Sequence, residues 1–337
     1  MMKAAVFDGK EIKVKMVDEP IINDSQVLVH VKAVGICGTD LAILQGDLPT
    51  PTPIILGHEL AGDVVKLGKK VEKSWLNKRV TSEINSDIDF NCYYCKQELY
   101  TQCISRKAIG IDIDGALAEY IALESYLLHE IPESIPYDYA TFIEPLAAAY
   151  QTFEMMPIEQ NDKIMAIFGL GKLGLLITQV ALLKGLKLIV VDGSDKKLTL
   201  AKEFGAHYLI NRLTCKDIPN EIINITEGLG ADIVIDTTGN PGALKDVIAS
   251  CRTRGKIHVK STHGLDALIN LTDIVVRELT LYSSRCGPFE KAIEGLKSGK
   301  IKVKELISKK FKLENIKEAF DSYKFSRDHI KTIVQIQ

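Results

Sequence analysis

Residues 164–174 read IMAIFGLGKLG, which sets Gly169, Gly171 and Gly174 in G-x-G-x-x-G spacing between two apolar runs. No other stretch restricts the fold as tightly. Spacing alone is weak, because glycines fall this way by chance, but the flanks supply what it lacks. Ile164–Phe168 has the length and branching of a buried strand, and Leu173–Lys184 has the apolar period of a helix about three turns long. A second strand-like run, Leu188–Val191, ends against Asp192, 18 residues after the last glycine. Runs at Ile233–Asp236 and Lys256–Val259 then alternate with helical patterns at Lys196–Phe204 and Ala243–Cys251. Such alternation builds βαβ units around a parallel sheet, so this half of the chain is α/β and doubly wound.

The loop has a coherent chemistry. Gly169 permits a tight turn, Gly171 lets the backbone approach a pyrophosphate, and Gly174 lets helix and strand pack closely. The pyrophosphate would rest on the free N–H groups that open the helix, where Lys172 and Leu173 lie, at the positive end of its dipole. Asp192 would accept hydrogen bonds from an adenosine ribose and repel a 2′-phosphate, which favours NAD over NADP. Lys196 and Lys197 stand close enough to keep NADP open. The bland reading is a glycine-rich turn of some other α/β fold.

At 337 residues the chain is long for one core, and two domains are expected. Its net charge of −2 argues against nucleic acid or a membrane surface as partner. Met1–Lys10 carries no signal-peptide pattern and no apolar run is long enough to span a bilayer, so the cytoplasm is expected. The first third reads differently from the middle. Gln26–Val34 alternates like a half-buried strand, residues 46–57 are rich in Gly and Pro, and Leu60–Val71 resembles a strand and turn. Near the end, Phe289–Ser298 reads as a helix and Thr332–Gln335 as a strand.

Three of the seven cysteines crowd into Cys92-x2-Cys95-x7-Cys103, a spacing that points to metal rather than disulfides in a reducing compartment. Counting back by the same x2 step reaches Asp89, so one carboxylate and three thiolates could make a tetrahedral structural zinc site. The alternative is a packed lobe without metal. Elsewhere GICGTD at 35–40 and GHELAG at 57–62 supply Cys37, His58 and Glu59, and Glu144 completes a thiolate, imidazole and carboxylate set suited to Zn²⁺. A zinc held by three protein ligands keeps a position open for a substrate oxygen. Spacing cannot itself bring residues 37, 58 and 144 together.

These motifs, with DGALAEY at 114–120, EPLAAAY at 144–150 and DIVIDTTG at 232–239, resemble those of the zinc-containing medium-chain dehydrogenase/reductase superfamily, the alcohol, polyol and threonine dehydrogenase group. The likeness covers nearly the whole chain. It implies a GroES-like, β-rich catalytic domain over 1–147, completed by 284–337, and a Rossmann NAD-binding domain over 148–283 to which Thr238 also contributes. It further implies a homodimer or homotetramer, with a strand near Glu278–Arg285 as an edge contact. Carried over, Cys37, His58 and Glu144 bind the catalytic zinc, and Glu59 is a nearby carboxylate that exchanges with water or substrate. Asp40 orients His58, and Thr39 hydrogen-bonds the substrate hydroxyl and begins proton release. Standing alone, Thr39 would read as a loop turn and Asp40 as a helix cap.

Three departures stand out. Ala42 occupies a position where many relatives carry a histidine that ends the proton relay, and Asp89 replaces the usual first lobe cysteine. The stretches at 259–264 and 283–289 bring Lys260, His263 and Arg285 to a region that is usually more apolar, which suggests a polar or anion-binding pocket. Arg285 equally suits a partner subunit or the cofactor phosphates. The expected activity is hydride transfer between NAD and a polar secondary alcohol of polyol, sugar or hydroxy-acid type. The alternatives are a zinc-independent quinone- or enoyl-type reductase and a protein that binds NAD without turnover.

Overall fold

The β-branched runs of the middle third pair side by side in a computed structural model that describes residues 1–262, 264–324 and 326–336. By contacts the chain forms two units. One comprises Met1–Glu144, Phe289–Phe325 and Lys331–Gln337, the other Pro145–Pro288 and Ser326–Ile330. The divisions fall at 144/145 and 288/289, where the sequence suggested 147/148 and 283/284.

The second unit is a six-stranded parallel sheet. Its spatial order is Tyr208–Asn211, Lys187–Asp192, Ile164–Phe168, Ala231–Asp236, Cys251–Val259 and Thr280–Ser283. Numbered along the chain this is 3-2-1-4-5-6, the doubly wound order that reverses beside the first strand and leaves a crevice at the strands' carboxyl ends. Met165, Ala166 and Ile167 are fully buried, as a central strand covered on both faces requires. The helices Lys172–Leu183, Asp195–Phe204 and Leu244–Ser250 match the expected patterns to within a residue or two. The helical reading of Ala243–Cys251 overran, because Cys251 already opens the next strand. Tyr208–Asn211 escaped notice for a physical reason: it lies at the sheet edge, short and half-exposed, with too little apolar pattern to stand out.

The first unit is built mainly of antiparallel sheet, with Ile307–Lys312 added parallel to Lys331–Gln335. Gln26–Gly35 is its central strand, flanked by Glu59–Leu67, Tyr120–Glu124 and Lys331–Gln335. Its alternating pattern predicted a half-buried strand, but Val27, Leu28, Val29, Val31, Ala33 and Val34 are all buried. The strand has neighbours on both sides and apolar cover on both faces, so only Gln26, His30 and Lys32 keep partial contact with solvent. A hairpin of Met2–Phe7 and Ile12–Val17, with Ile54–Ile55 added, forms a second sheet on the same core. The C-terminal strand Lys331–Gln335 pairs antiparallel with Gln26–Gly35, setting Ile333 opposite Gly35. None of the described helices is long and apolar enough to cross a membrane.

Candidate functional site

The sheet register of the first unit gathers its chemistry. Gly35 lies opposite Glu59, so the residues that follow one strand meet those that begin the other. Cys37 comes two residues after Gly35 and caps the helix Gly38–Gln45, while His58 and Glu59 lead into Glu59–Leu67. Ligand atoms of Cys37, His58 and Glu59 all lie within 4.8 Å of one another. Glu144, in the first turn of the helix Ile143–Met155, is half-buried and outside that 4.8 Å group, yet its charge reaches His58.

Asp40 does two jobs. Its Oδ2 accepts the Cys37 N–H at 2.8 Å, closing a reciprocal capping box, and its Oδ1 accepts the Gly57 N–H at 3.3 Å. The same Oδ1 stands 3.6 Å from Nδ1 of His58. The bland reading of Asp40 as a cap and the functional reading as a partner of the imidazole therefore describe one buried carboxylate. Thr39 lies on the first turn of that helix, its Oγ1 3.7 Å from Cys37 Sγ. Burial alone would lower the proton affinity of His58, but the negative charges of Asp40, Cys37 and Glu144 raise its pKa to about 9. A pocket with this surplus of anionic donors favours a cation.

Sequence reasoning missed Lys331. Its side chain is fully buried, its ammonium forms an ion pair with Glu59 Oε2, and it donates to the Ile36 carbonyl at 3.2 Å. The ammonium also lies 5.6 Å from the centre of the Phe142 ring. Burial pulls its pKa down to about 7, against the opposing charges of Cys37 and Asp40. Glycine at position 35 leaves room for the pair: a Cβ there would fall 2.2 Å from Lys331 Nζ and 2.8 Å from Glu59 Oε2. The only sequence signal was a lysine at the head of an otherwise apolar strand, which reads as a solvated end.

In the lobe, ligand atoms of Asp89, Cys92, Cys95 and Cys103 likewise lie within 4.8 Å of one another. Asp89 Oδ1 accepts the N–H groups of Asn91 and Cys92, both at 2.8 Å, and Oδ2 accepts the Ser105 hydroxyl at 3.1 Å. Those N–H groups hold the Asp89 carboxyl well below the usual carboxylate range. Burial pushes the Cys95 thiol up, reinforced by Cys92, Cys103 and Asp89, whereas the Ile104 N–H draws Cys92 down. Asp89 thus organises the turn as well as facing the thiols.

In the second unit Gly169 sits at φ +89°, a conformation that favours glycine. A Cβ on Gly174 would fall 2.0 Å from the Gly169 carbonyl oxygen, so any side chain there would force the turn off the helix. Gly171 caps the helix Lys172–Leu183 and would meet nothing within 4 Å, an open cradle at a helix N-terminus into which a phosphate fits. Lys172 and Leu173, both half-buried, form the first turn. Asp192 Oδ2 accepts the Leu170 N–H at 2.7 Å and Oδ1 the Ser194 N–H at 2.9 Å, which fixes the carboxylate at the carboxyl end of its strand. The Thr238 hydroxyl donates to Asp236 at 2.7 Å, while Thr237 donates to the Gly169 carbonyl at 2.7 Å and tethers the loop.

Of the residues suggested for a polar pocket, Lys260 is hydrogen-bonded within the chain. The Lys260 ammonium donates to the Ala148 carbonyl at 3.0 Å and to the Ser284 carbonyl and hydroxyl, both at 2.9 Å, so its three protons already have partners. Arg285 is half-buried, and His263 lies outside the described residues.

The family model of the Alcohol dehydrogenase GroES-like domain matches residues 23–133, and that of the Zinc-binding dehydrogenase matches residues 173–298. A sorbitol dehydrogenase of Bacillus subtilis is 32% identical over 344 residues, covering 99% of this chain and 97% of the relative. A short-chain alcohol dehydrogenase from E. coli CFT073, solved with NADH, superposes with TM-score 0.90 at 26% identity and 99% coverage of both chains. A zinc-binding dehydrogenase from Sinorhizobium meliloti 1021, solved with NADP, does so with TM-score 0.90 at 28% identity and 99% coverage of both. Likeness of this extent, running through both units, means that the chain belongs to the zinc-type alcohol dehydrogenases of the medium-chain dehydrogenase/reductase superfamily and is a zinc- and nicotinamide-dependent oxidoreductase.

Proposed function

We propose that the protein oxidises a polar secondary alcohol of polyol, sugar or hydroxy-acid type with NAD and catalyses the reverse reduction of the ketone or aldehyde. The observation that carries this reading is the meeting of half-buried Cys37 with buried His58 and Glu59, and Asp40 behind the imidazole. The sorbitol dehydrogenase relative supports the polyol class.

The donor set fits zinc by its chemistry, and the glycine cradle fits a pyrophosphate by its open space. When bound, zinc supplies a Lewis acid that makes a hydroxyl more acidic, and the nicotinamide supplies the hydride acceptor. Cys37, His58 and Glu144 would hold the metal. Glu59 is the reserve carboxylate, because its charge is already answered by Lys331. Asp40 keeps the imidazole oriented while capping the helix that carries Cys37. The Thr39 hydroxyl would accept a hydrogen bond from the substrate hydroxyl and relay its proton, passing its own onward as the substrate's arrives. With Ala42 where relatives carry the relay histidine, the proton would leave through water, the cofactor ribose or another group. Gly169, Gly171, Lys172, Leu173 and Gly174 would cradle the pyrophosphate, Asp192 would take the adenosine ribose, and Thr238 would line the same crevice. Asp89, Cys92, Cys95 and Cys103 would hold a second, structural zinc.

The test is an assay of zinc-loaded protein with NAD across polyols, hydroxy acids and simple alcohols. NADH should form fastest with a polyol or hydroxy acid, and Cys37→Ser should cut the rate by roughly a hundredfold or more. No NADH from any member of the panel would overturn the reading. We take the working compartment to be the cytoplasm, where thiolate sites stay reduced. We also infer a homodimer, alone or paired into a homotetramer, joined through the edge strand Thr280–Ser283. Supporting this, Leu281 on that strand is 45% exposed, and Val275 and Val276, on the helix that precedes it, are each 73% exposed.

A further inference from the structure

The fold does not choose the cofactor: relatives with the same architecture have been solved with NADH and with NADP. The choice rests on the few charges around Asp192. The short segment Ser326–Ile330 packs with the second unit and delivers Asp328 to this place. Ser194, the N-cap of the helix Asp195–Phe204, donates its hydroxyl to Asp328 Oδ1 at 2.6 Å while accepting the Lys197 N–H at 3.2 Å. Its own N–H goes to Asp192 at 2.9 Å. One buried serine therefore links the two carboxylates and the backbone of Lys197. The Lys197 side chain is half-buried and its ammonium lies in the field of both Asp192 and Asp328. Arg212 also lies close by, with its Nε 3.1 Å from where a Cβ of Gly193 would stand.

We propose that Asp328 is a specificity-determining, positioning residue: held by Ser194 beside Asp192, it adds a second negative charge whose field reaches Lys197 and opposes a 2′-phosphate, and so keeps the enzyme on NAD. This inference rests on the nicotinamide reading of the glycine loop. A 2′-phosphate brings about two negative charges and needs a cation that is not already neutralised. Two carboxylates whose field reaches one lysine offset that cation and add repulsion. Ribose hydroxyls carry no charge, so NAD is indifferent to Asp328 so long as Asp192 stays in place.

Binding of NADH and NADPH is measured by fluorescence titration on the purified full chain, with Asp328→Asn, Asp328→Glu and the double variant Asp328→Asn/Lys197→Met beside the wild type. The Asn variant should bind NADPH about tenfold more tightly, with NADH within about twofold of wild type. The Glu variant, which keeps the charge, should remain NAD-selective, and the gain should vanish when Lys197 is also removed. Unchanged NADPH binding, a parallel loss for both dinucleotides, a Glu variant as permissive as Asn, or a gain that survives loss of Lys197 would each overturn the proposal. Parallel loss would mark Asp328 as a mere cap support. If the Asn variant fails to fold, the Glu variant and Ser194→Ala carry the test. Ser194→Ala releases Asp328 without changing charge and should loosen selectivity in the same direction; unchanged selectivity there overturns the idea. Wild type that binds neither dinucleotide would take down the nicotinamide reading itself, and the proposal with it, whereas wild type that binds NADH with unresponsive variants would leave that reading intact.

Discussion

A single buried lysine shows most about this protein at the scale of residues. Lys331 and Glu59 are both fully excluded from solvent, and each is the other's counter-charge. Removing one member of such a pair leaves a buried charge uncompensated, which costs about 3–5 kcal/mol. Lys331→Met should shift the urea unfolding transition by about that amount, and adding Glu59→Gln should recover most of the loss. A single variant as stable as wild type would mean that the pair contributes only orientation. Cys37, His58 and Glu59 could be picked out beforehand because thiolate, imidazole and carboxylate are rare together and carry metal chemistry. Lys331 could not, because lysine at a strand end is ordinarily solvated; only the strand that lies beside Gly35 shows it buried. Asp328 is similar. A short polar loop has no pattern that says which carboxylate it delivers where.

The element scale is where local pattern and environment part. The strand Cys251–Val259 carries His258, fully buried, with Nε2 3.0 Å from the Ser284 hydroxyl and its ring stacked on Tyr282. Burial, helped by the positive charge of Lys260, drops its pKa from 6.5 to about 4. The sign follows from proton uptake: between these values the unfolded chain binds a proton that the folded chain refuses, so stability falls as pH drops from 6.5 toward 4 and is fully present above. Thermal unfolding followed across that window should show a shallower pH slope for His258→Gln than for wild type; equal slopes would locate the titration elsewhere. The strand's apolar half was legible in the sequence. The burial of its histidine was not, because alternation at Gln26–Val34 and at His258 looks the same whether one face or both are covered. Long helices were read to within a residue or two because their period repeats over several turns. The edge strand Tyr208–Asn211, with only four residues, gives no such repetition.

For the whole molecule, the open question is how the second unit's sheet ends. Thr280–Ser283 is an edge strand whose outer side pairs with no other strand among the described residues; Leu281 on it, and Val275 and Val276 in the helix before it, are exposed. If that edge joins two copies, Val276→Lys with Leu281→Lys should halve the mass measured by light scattering without lowering NADH affinity. A species of undiminished mass would place the contact on another face. The sequence by itself determined the parallel α/β unit, its glycine cradle and the kinds of donor available, since each depends on residues adjacent in the chain or on a period that local sterics impose. Tertiary structure alone decided which donors meet. Antiparallel register sets Glu59 opposite Gly35, and the returning C-terminal strand lays Lys331 against the same spot from almost the other end of the chain. Sheet pairing acts across any sequence distance and leaves no local mark, so the partners it selects are visible only once the strands are in place.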